Sequence, residues 1–263
     1  MEYNKTIVYT CILYIGYGLL LFLPAGNVQI PVVYEDTSIY WTSISLGTLI
    51  DLSIAPIFMF CILYLIRKAI IEQPIPESSE PSQRKKDIIK FLLFGAGIVL
   101  IIGITMHAVA NLFNGILNNP VPPTEPLHIA IYWFDEVLGH KLIHFGLYGV
   151  LIGLMILQYW HRKEINLSKP AKVGLYFWAA AIGAVYSLAG AEGQAAFDIL
   201  VISIILSVVI LYYVRFKGLK LKENPLTHFM LVFSVSIIIT LIVYGIIAGF
   251  VPGYPFFLQP PFT

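Results

Sequence analysis

Charge is what this chain has least of: Lys, Arg, Asp and Glu make up 12% of its 263 residues, about half the share of an average soluble domain. That scarcity excludes a solvated globule with an ordinary surface. Cysteine is nearly missing too, and the two thiols, Cys11 and Cys61, exclude a disulfide framework and a Cys-rich zinc motif. Both are expected to be small buried fillers. Net charge is only +1, and no basic patch with interleaved aromatics occurs, so nucleic acid is not an expected partner. No polar stretch is long enough to fold alone. No internal repeat is visible, so the inverted halves carried by many secondary transporters are not evident.

What is abundant is apolar: 58% of the residues are hydrophobic. Runs near 6–25, 42–66, 91–118, 129–160, 173–191, 195–214 and 229–250 each reach the roughly 20 residues with which a helix crosses a bilayer. A β-barrel would show short alternating strands instead of unbroken runs. The expectation is an all-α, polytopic membrane protein: a seven-transmembrane-helix bundle, one domain over 1–263, multi-pass in the cell membrane with the lipid bilayer as its partner. The N-terminal run exceeds the apolar core of a secretory signal. The last run holds no Lys, which excludes a retinal Schiff base there.

Basic residues set the orientation. Arg67, Lys68, Arg84, Lys85, Lys86 and Lys90 flank one connection, Arg162, Lys163, Lys169 and Lys172 the next alternate one, and Arg215, Lys217, Lys220 and Lys222 a third. These three read as cytoplasmic, which places the N-terminus inside and the C-terminus in the extracytoplasmic space. Residues 72–87, rich in Pro, Ser and charge, read as a mobile cytoplasmic loop. PVPPTEP at 120–126 reads as a stiff outer connection, and 251–263 as an extracytoplasmic tail. His128, His161 and His228 read as caps at helix ends, and the Gly- and Ala-dense AAAIGAVYSLAGAEG of the fifth run as a central, closely packed helix.

The remaining ionisable groups are unevenly placed. Asp51 lies sixteen residues from Arg67, His107 seventeen from Lys90, His144 eighteen from Arg162 and Asp198 seventeen from Arg215. At 1.5 Å per residue all four sit roughly 25 Å above the inner surface. Glu192 and His140 lie about a turn higher, and Asp135 and Glu136 higher still, so the polar groups form a funnel opening outward. Glu136, His140 and His144 follow at i, i+4, i+8 on one stripe, while Asp135 points about a quarter-turn away. His107 and Asn111 form a second stripe, and the two stripes are expected to face one another.

Charged groups at bilayer depth are expensive and usually functional. Imidazoles four residues apart, joined by a third imidazole and carboxylates, suit a divalent metal, with zinc expected first and copper or iron as the alternative. His107, His140, His144, Asp135 and Glu136 are the candidate ligands; Asp51, Glu192 and Asp198 are candidates for a fourth ligand, for orienting the rings or for accepting a proton as the catalytic base. A metal-free hydrogen-bond network that fixes helix register is the plain alternative. Haem held by His107 and His140 or His144 is a further one.

This residue kit resembles that of the ceramidase and adiponectin-receptor superfamily, seven-span hydrolases in which three histidines hold zinc beside an Asp and a Ser. There the pattern is Ser-x-x-x-His on an early helix and His-x-x-x-His on the last. Here His140 and His144 fall on the fourth span, Gly103 stands four before His107, and the last span has no ionisable residue, so the resemblance is chemical and concerns a few side chains. Asp135, His140 and His144 are loosely similar to the intramembrane copper ligands of particulate methane and ammonia monooxygenases. The function expected first is a metal-dependent hydrolase taking a lipid or small amphipathic substrate from the outer leaflet. A copper- or iron-dependent oxidase or redox subunit is the second reading. A cation or proton transporter, or a structural membrane subunit, is the third, and the apolar inner halves of the helices argue against transport.

Overall fold

The computed structural model describes residues 3–22, 29–31, 43–75, 80–117, 125–161, 168–192, 194–251 and 257, with the side chains of 3, 4, 17–22, 29–31, 43–45, 48, 51, 114–117 and 192 left aside. The chain runs as α1 (Tyr3–Phe22), β1 (Gln29–Pro31), β2 (Ser43–Ser45), α2 (Leu46–Leu49), a π-helical turn π1 (Ile50–Ile54) and α3 (Ala55–Ile71). There follow α4 (Gln83–Leu117), α5 (Pro126–Tyr132), a second π-helical turn π2 (Trp133–Gly139), α6 (His140–Trp160), α7 (Lys169–Glu192), α8 (Ala196–Phe216), a 3-10 turn and α9 (Pro225–Ala248). Six stretches are long and apolar enough to cross a membrane: Leu52–Ile71, Gln83–Phe113, Pro126–Trp160, Lys169–Ala191, Ala196–Phe216 and Pro225–Ala248. The chain is a multi-pass helical membrane protein. In α1 the apolar stretch Lys5–Gly16 is shorter than these six.

Sequence chemistry sets the ends of these elements. Pro56, Pro126 and Pro225 sit in the first turns of α3, α5 and α9, where a missing N–H breaks no helical bond. Gly249, at φ 110°, takes the chain out of α9 in a conformation that disfavours any side chain. The all-α expectation holds, with one addition: β1 and β2, three residues each, pair antiparallel, Gln29 opposite Ser45. One expectation is corrected here. Residues 83–87, expected in a mobile loop, form the first turn of α4, where Gln83 donates to Asp87 at 2.9 Å and Lys86 meets Glu80 at 3.1 Å. Of the tail, Phe257 is described: it is buried and bridges to Phe250.

α6 is the central helix. The most apolar part of its span is 61% buried, against 33% for α7. The Gly and Ala of α7 serve one face only: Gly183 lets α7 approach α9, where a Cβ would come within 2.6 Å of the Phe233 carbonyl, and Ser236 donates to the Ala180 carbonyl at 2.6 Å. Its other face, with Val173, Phe177 and Val185, is exposed, which places α7 at the perimeter instead of the centre. Cys61 is exposed on α3, so of the two thiols only Cys11, half-buried, approaches the expected filler role.

The tightest crossing is α4 against α6. A Cβ on Gly103 would lie 2.5 Å from the Ile143 nitrogen, and one on Gly146 2.5 Å from the Leu100 nitrogen. Lipid tails are as apolar as leucine, so hydrophobicity gives no drive for helices to associate within the bilayer; close backbone packing at small residues supplies it. Gly103→Leu and Gly146→Leu are each expected to lower stability by about 1–3 kcal/mol or more through overpacking, read as a drop in Tm in detergent. Gly95→Ala, where a Cβ meets nothing within 4 Å, is expected to leave Tm unchanged or slightly raised.

Candidate metal centre

The α4–α6 crossing brings the polar stripes together as expected. His107 of α4 sits over Gly139, where a Cβ would come within 3.2 Å of the His107 Cα. His107 and His140 rings meet edge to face with centroids 4.5 Å apart. His107 Nδ1 lies 2.6 Å from Asp135 Oδ1. That distance suits a hydrogen bond, yet the N–H and the carboxylate oxygen are not aligned as one.

The π2 turn explains why Asp135 is there. In an α-helix residues five apart lie about 140° apart around the axis, so Asp135 and His140 would diverge. The i→i+5 bonding of a π-helix widens the turn and brings such residues toward one side. Asp135 is 1% exposed and faces His107, which corrects the expectation that it points a quarter-turn away from the stripe.

His107, Asp135 and His140 each offer a ligand atom, all within 4.8 Å of one another. In a tetrahedral site with bonds of about 2.0–2.2 Å, ligand atoms stand roughly 3.3–3.5 Å apart. That spacing lies between the 2.6 Å of His107 Nδ1–Asp135 Oδ1 and the 4.8 Å that bounds the group, so the three could hold an ion. Two further observations fit one. Asp135 Oδ1 and His140 Nε2 are buried without a hydrogen bond, a costly state for polar atoms in an apolar bundle. And Asn111 lies 3.2 Å from His107 Nε2, the position of an outer partner that fixes a ligand's tautomer. As placed, the Asn111 Nδ2–H donates to Nε2 and leaves Nδ1–H toward Asp135; with the amide turned over, its oxygen accepts from Nε2–H and the Nδ1 lone pair is left for a cation.

The other expected site residues are distributed around this group. Glu136 Oε2 stands 4.0 Å from His140 Nε2, beside the triad and too far for a direct hydrogen bond. His144 lies one turn deeper, its ring 6.4 Å from that of His140, and Nδ1 is hydrogen-bonded to the Tyr186 hydroxyl. Asp198 pairs with Lys141 across α6 and α8 at 3.5 Å. The groups expected in one layer thus separate into a triad and two tied pairs, because a shared depth does not fix the direction in which each helix turns its side chain. Asp51 lies on π1, which packs against α4 and α1; its side chain and that of Glu192 are outside the described residues. Two partners were not legible as site residues: Tyr186, whose one signal is a hydroxyl in a Gly- and Ala-rich helix, and Lys141, which reads as a helix-end residue. Of the expected caps, His161 bonds the Gln73 carbonyl at 2.6 Å.

Below His144, the rings of Tyr14, Tyr148, Tyr186 and Phe233 interlock, Tyr14–Tyr186 at 5.7 Å and Tyr186–Phe233 at 5.4 Å. Tyr148 reaches Ser203 at 3.1 Å. This aromatic cluster lies on the His144 side of the site. No family model matches the chain, and no curated protein or solved structure matches it.

Asn111→Leu is expected to weaken zinc or cobalt binding about 10–100-fold while helicity is retained, measured by titration calorimetry of the purified protein. Unchanged affinity would remove Asn111 from the site.

Proposed function

We propose that this chain is a metal-dependent hydrolase of the cell membrane that acts on a lipid or amphipathic substrate at a His107–Asp135–His140 centre. The observation that carries the reading is the composition and exposure of the triad. Two imidazoles and one carboxylate leave coordination positions open, as catalytic zinc sites do. His107 and His140 side chains keep 15% and 20% of their surface exposed while Asp135 keeps 1%. A divalent ion held there would supply Lewis acidity toward a carbonyl or phosphoryl oxygen and would lower the pKa of a bound water toward neutrality.

The chain's own groups divide the remaining work. His107, Asp135 and His140 hold the ion, and Asn111 sets the His107 tautomer. Glu136, 24% exposed and beside His140, is placed to accept the proton of the attacking water; in this reading it takes the role first expected of Asp51, Glu192 or Asp198. Asp198, paired with Lys141, ties α8 to α6. Trp133 and Phe134 are exposed on π2, so the turn that buries Asp135 also presents aromatics to hydrocarbon, which favours an amphipathic substrate arriving from the bilayer. The distribution of Lys and Arg supports seven spans, with α1 as the first, an inner N-terminus and a site in the outer half.

Zinc is the ion of first choice. The same 2-His-1-carboxylate set also suits iron(II) in oxygen chemistry, so metal identity separates the hydrolase from the redox reading. Elemental analysis is expected to give one zinc per chain. Fluorogenic amphipathic esters or phosphoesters are expected to be hydrolysed in a chelator-sensitive manner, with His107→Ala and His140→Ala lowering the rate about 100-fold or more. Affinity for the ion is expected to fall as pH is lowered, because each ligand binds in its deprotonated form. Equal metal content in wild type and both variants would overturn the assignment, and copper or iron in place of zinc would redirect it to redox chemistry.

A further inference from the structure

Outside the metal centre, five buried side-chain atoms among the described residues have no hydrogen-bond partner: His128 Nδ1, Gln158 Nε2, Ser207 Oγ, Asn224 Oδ1 and Ser234 Oγ. Four of the five lie where α6, α8 and α9 meet. Tyr148 of α6 reaches Ser203 of α8 at 3.1 Å, Ser207 follows one turn on along the same buried face, and Gln158 of α6 accepts from the Leu226 N–H of α9 at 2.9 Å. Ser234 is on α9, which packs against α8. It shares a depth with Ser207, each standing nine residues from the inner end of its helix, at Pro225 and Phe216. None of the four residues is more than 6% exposed.

A serine inside a helix has a ready partner in the carbonyl one turn back. Thr10 and Ser187 take it, at 2.7 Å each, whereas Ser207 and Ser234 are turned away from it. A buried polar atom left unpaired is costly, so four of them along one seam require a common partner. Water is that partner: it donates to Asn224 Oδ1, accepts from Gln158 Nε2 and does either with a hydroxyl.

The hydroxyls continue toward the site. Above Ser207 stands the Ser203–Tyr148 pair, then Tyr186, its ring 6.3 Å from that of Tyr148 and its hydroxyl bonded to His144. His140 and Glu136, both partly exposed, follow above. No ionisable residue marks the lower part of this line, which is why the inner halves of these helices read as apolar. Between Ser207 and Gln158 stand Met155, Ile210 and Met230, all buried. Met155 and Met230 are unbranched thioethers that yield space by changing rotamer.

We propose that this seam is a proton path. Water held by Asn224, Gln158, Ser234 and Ser207 links the inner end of the bundle, cytoplasmic in the orientation proposed above, to Tyr148, Tyr186 and His144 beneath the metal centre. Each oxygen takes a proton from one neighbour and passes its own to the next, so a proton crosses with no net change in any group along the way. The path does not rest on the hydrolase reading.

Proteoliposomes with a trapped pH-sensitive dye test it. A pH step, imposed with potassium and valinomycin present to cancel the membrane potential, is expected to decay faster with the protein than in protein-free liposomes. Ser207→Val with Ser234→Val, which replaces both hydroxyls by methyl groups, is expected to return the decay to the protein-free rate. Ser207→Thr with Ser234→Thr, of the same volume but with both hydroxyls kept, is expected to hold the wild-type rate. Met230→Ala, which opens the apolar stretch, is expected to accelerate the decay. Ile66→Ala, an equally buried site on α3, is expected to leave it unchanged and controls for leak through a loosened fold. Metal content, measured on the same samples, is expected to stay constant, so failure of the path and failure of the metal centre are read separately.

Decay no faster than in protein-free liposomes would overturn the proposal. So would equal decay in the valine and threonine double variants. Osmotic water flow without proton flow would assign the four atoms to water alone, and release of trapped sodium alongside the protons would make the seam an aqueous pore; either result ends the proton assignment.

Discussion

The carboxylate of Asp135, enclosed to 1% exposure in a bundle of apolar helices, is the constraint on which the rest of the structure turns. An ionised carboxylate removed from water without compensation is not stable. Compensation requires cationic or metal-ligating groups within a few ångströms: His140 comes from the same span, and His107 from a neighbouring helix whose backbone approaches closely. Gly103, Gly139 and Gly146 permit that approach, and His107 at 2.6 Å is its result. Replacing any of these glycines by a bulky residue would separate the partners as well as the helices.

The π-turns extend the same logic. A π-helical segment packs less well than an α-helix and persists where something requires it. In π2 that requirement is directional: Asp135 must face α4 while Trp133 and Phe134 face outward. The site that results keeps the His140 and Glu136 side chains partly exposed and has the tyrosine cluster around Tyr186 on its His144 side.

The helical spans were legible in the sequence because roughly 20 apolar residues in a row have one reading in a bilayer. The facing of His107 and Asn111 toward the stripe of His140 was legible as well, since it follows from α-helical periodicity and a short connection. The exact triad was not. Periodicity assumes a uniform turn, and the extra residue in π2 moved Asp135 into the group while leaving His144 one turn below, bonded to Tyr186. Counting residues from the basic flanks placed Asp198 level with His107, but depth carries no information about azimuth, and Asp198 faces Lys141. The Gly and Ala of α7 signalled close packing correctly and position wrongly, because a small-residue face looks the same on a perimeter helix as on a central one.

X-ray absorption at the metal edge of the purified protein tests the central claim most directly. Nitrogen and oxygen neighbours only are expected, at about 2.0–2.2 Å, with the multiple-scattering signature of two imidazoles that falls to one in His140→Ala. A shell containing sulfur at about 2.3 Å, or one without imidazole scattering, would contradict it.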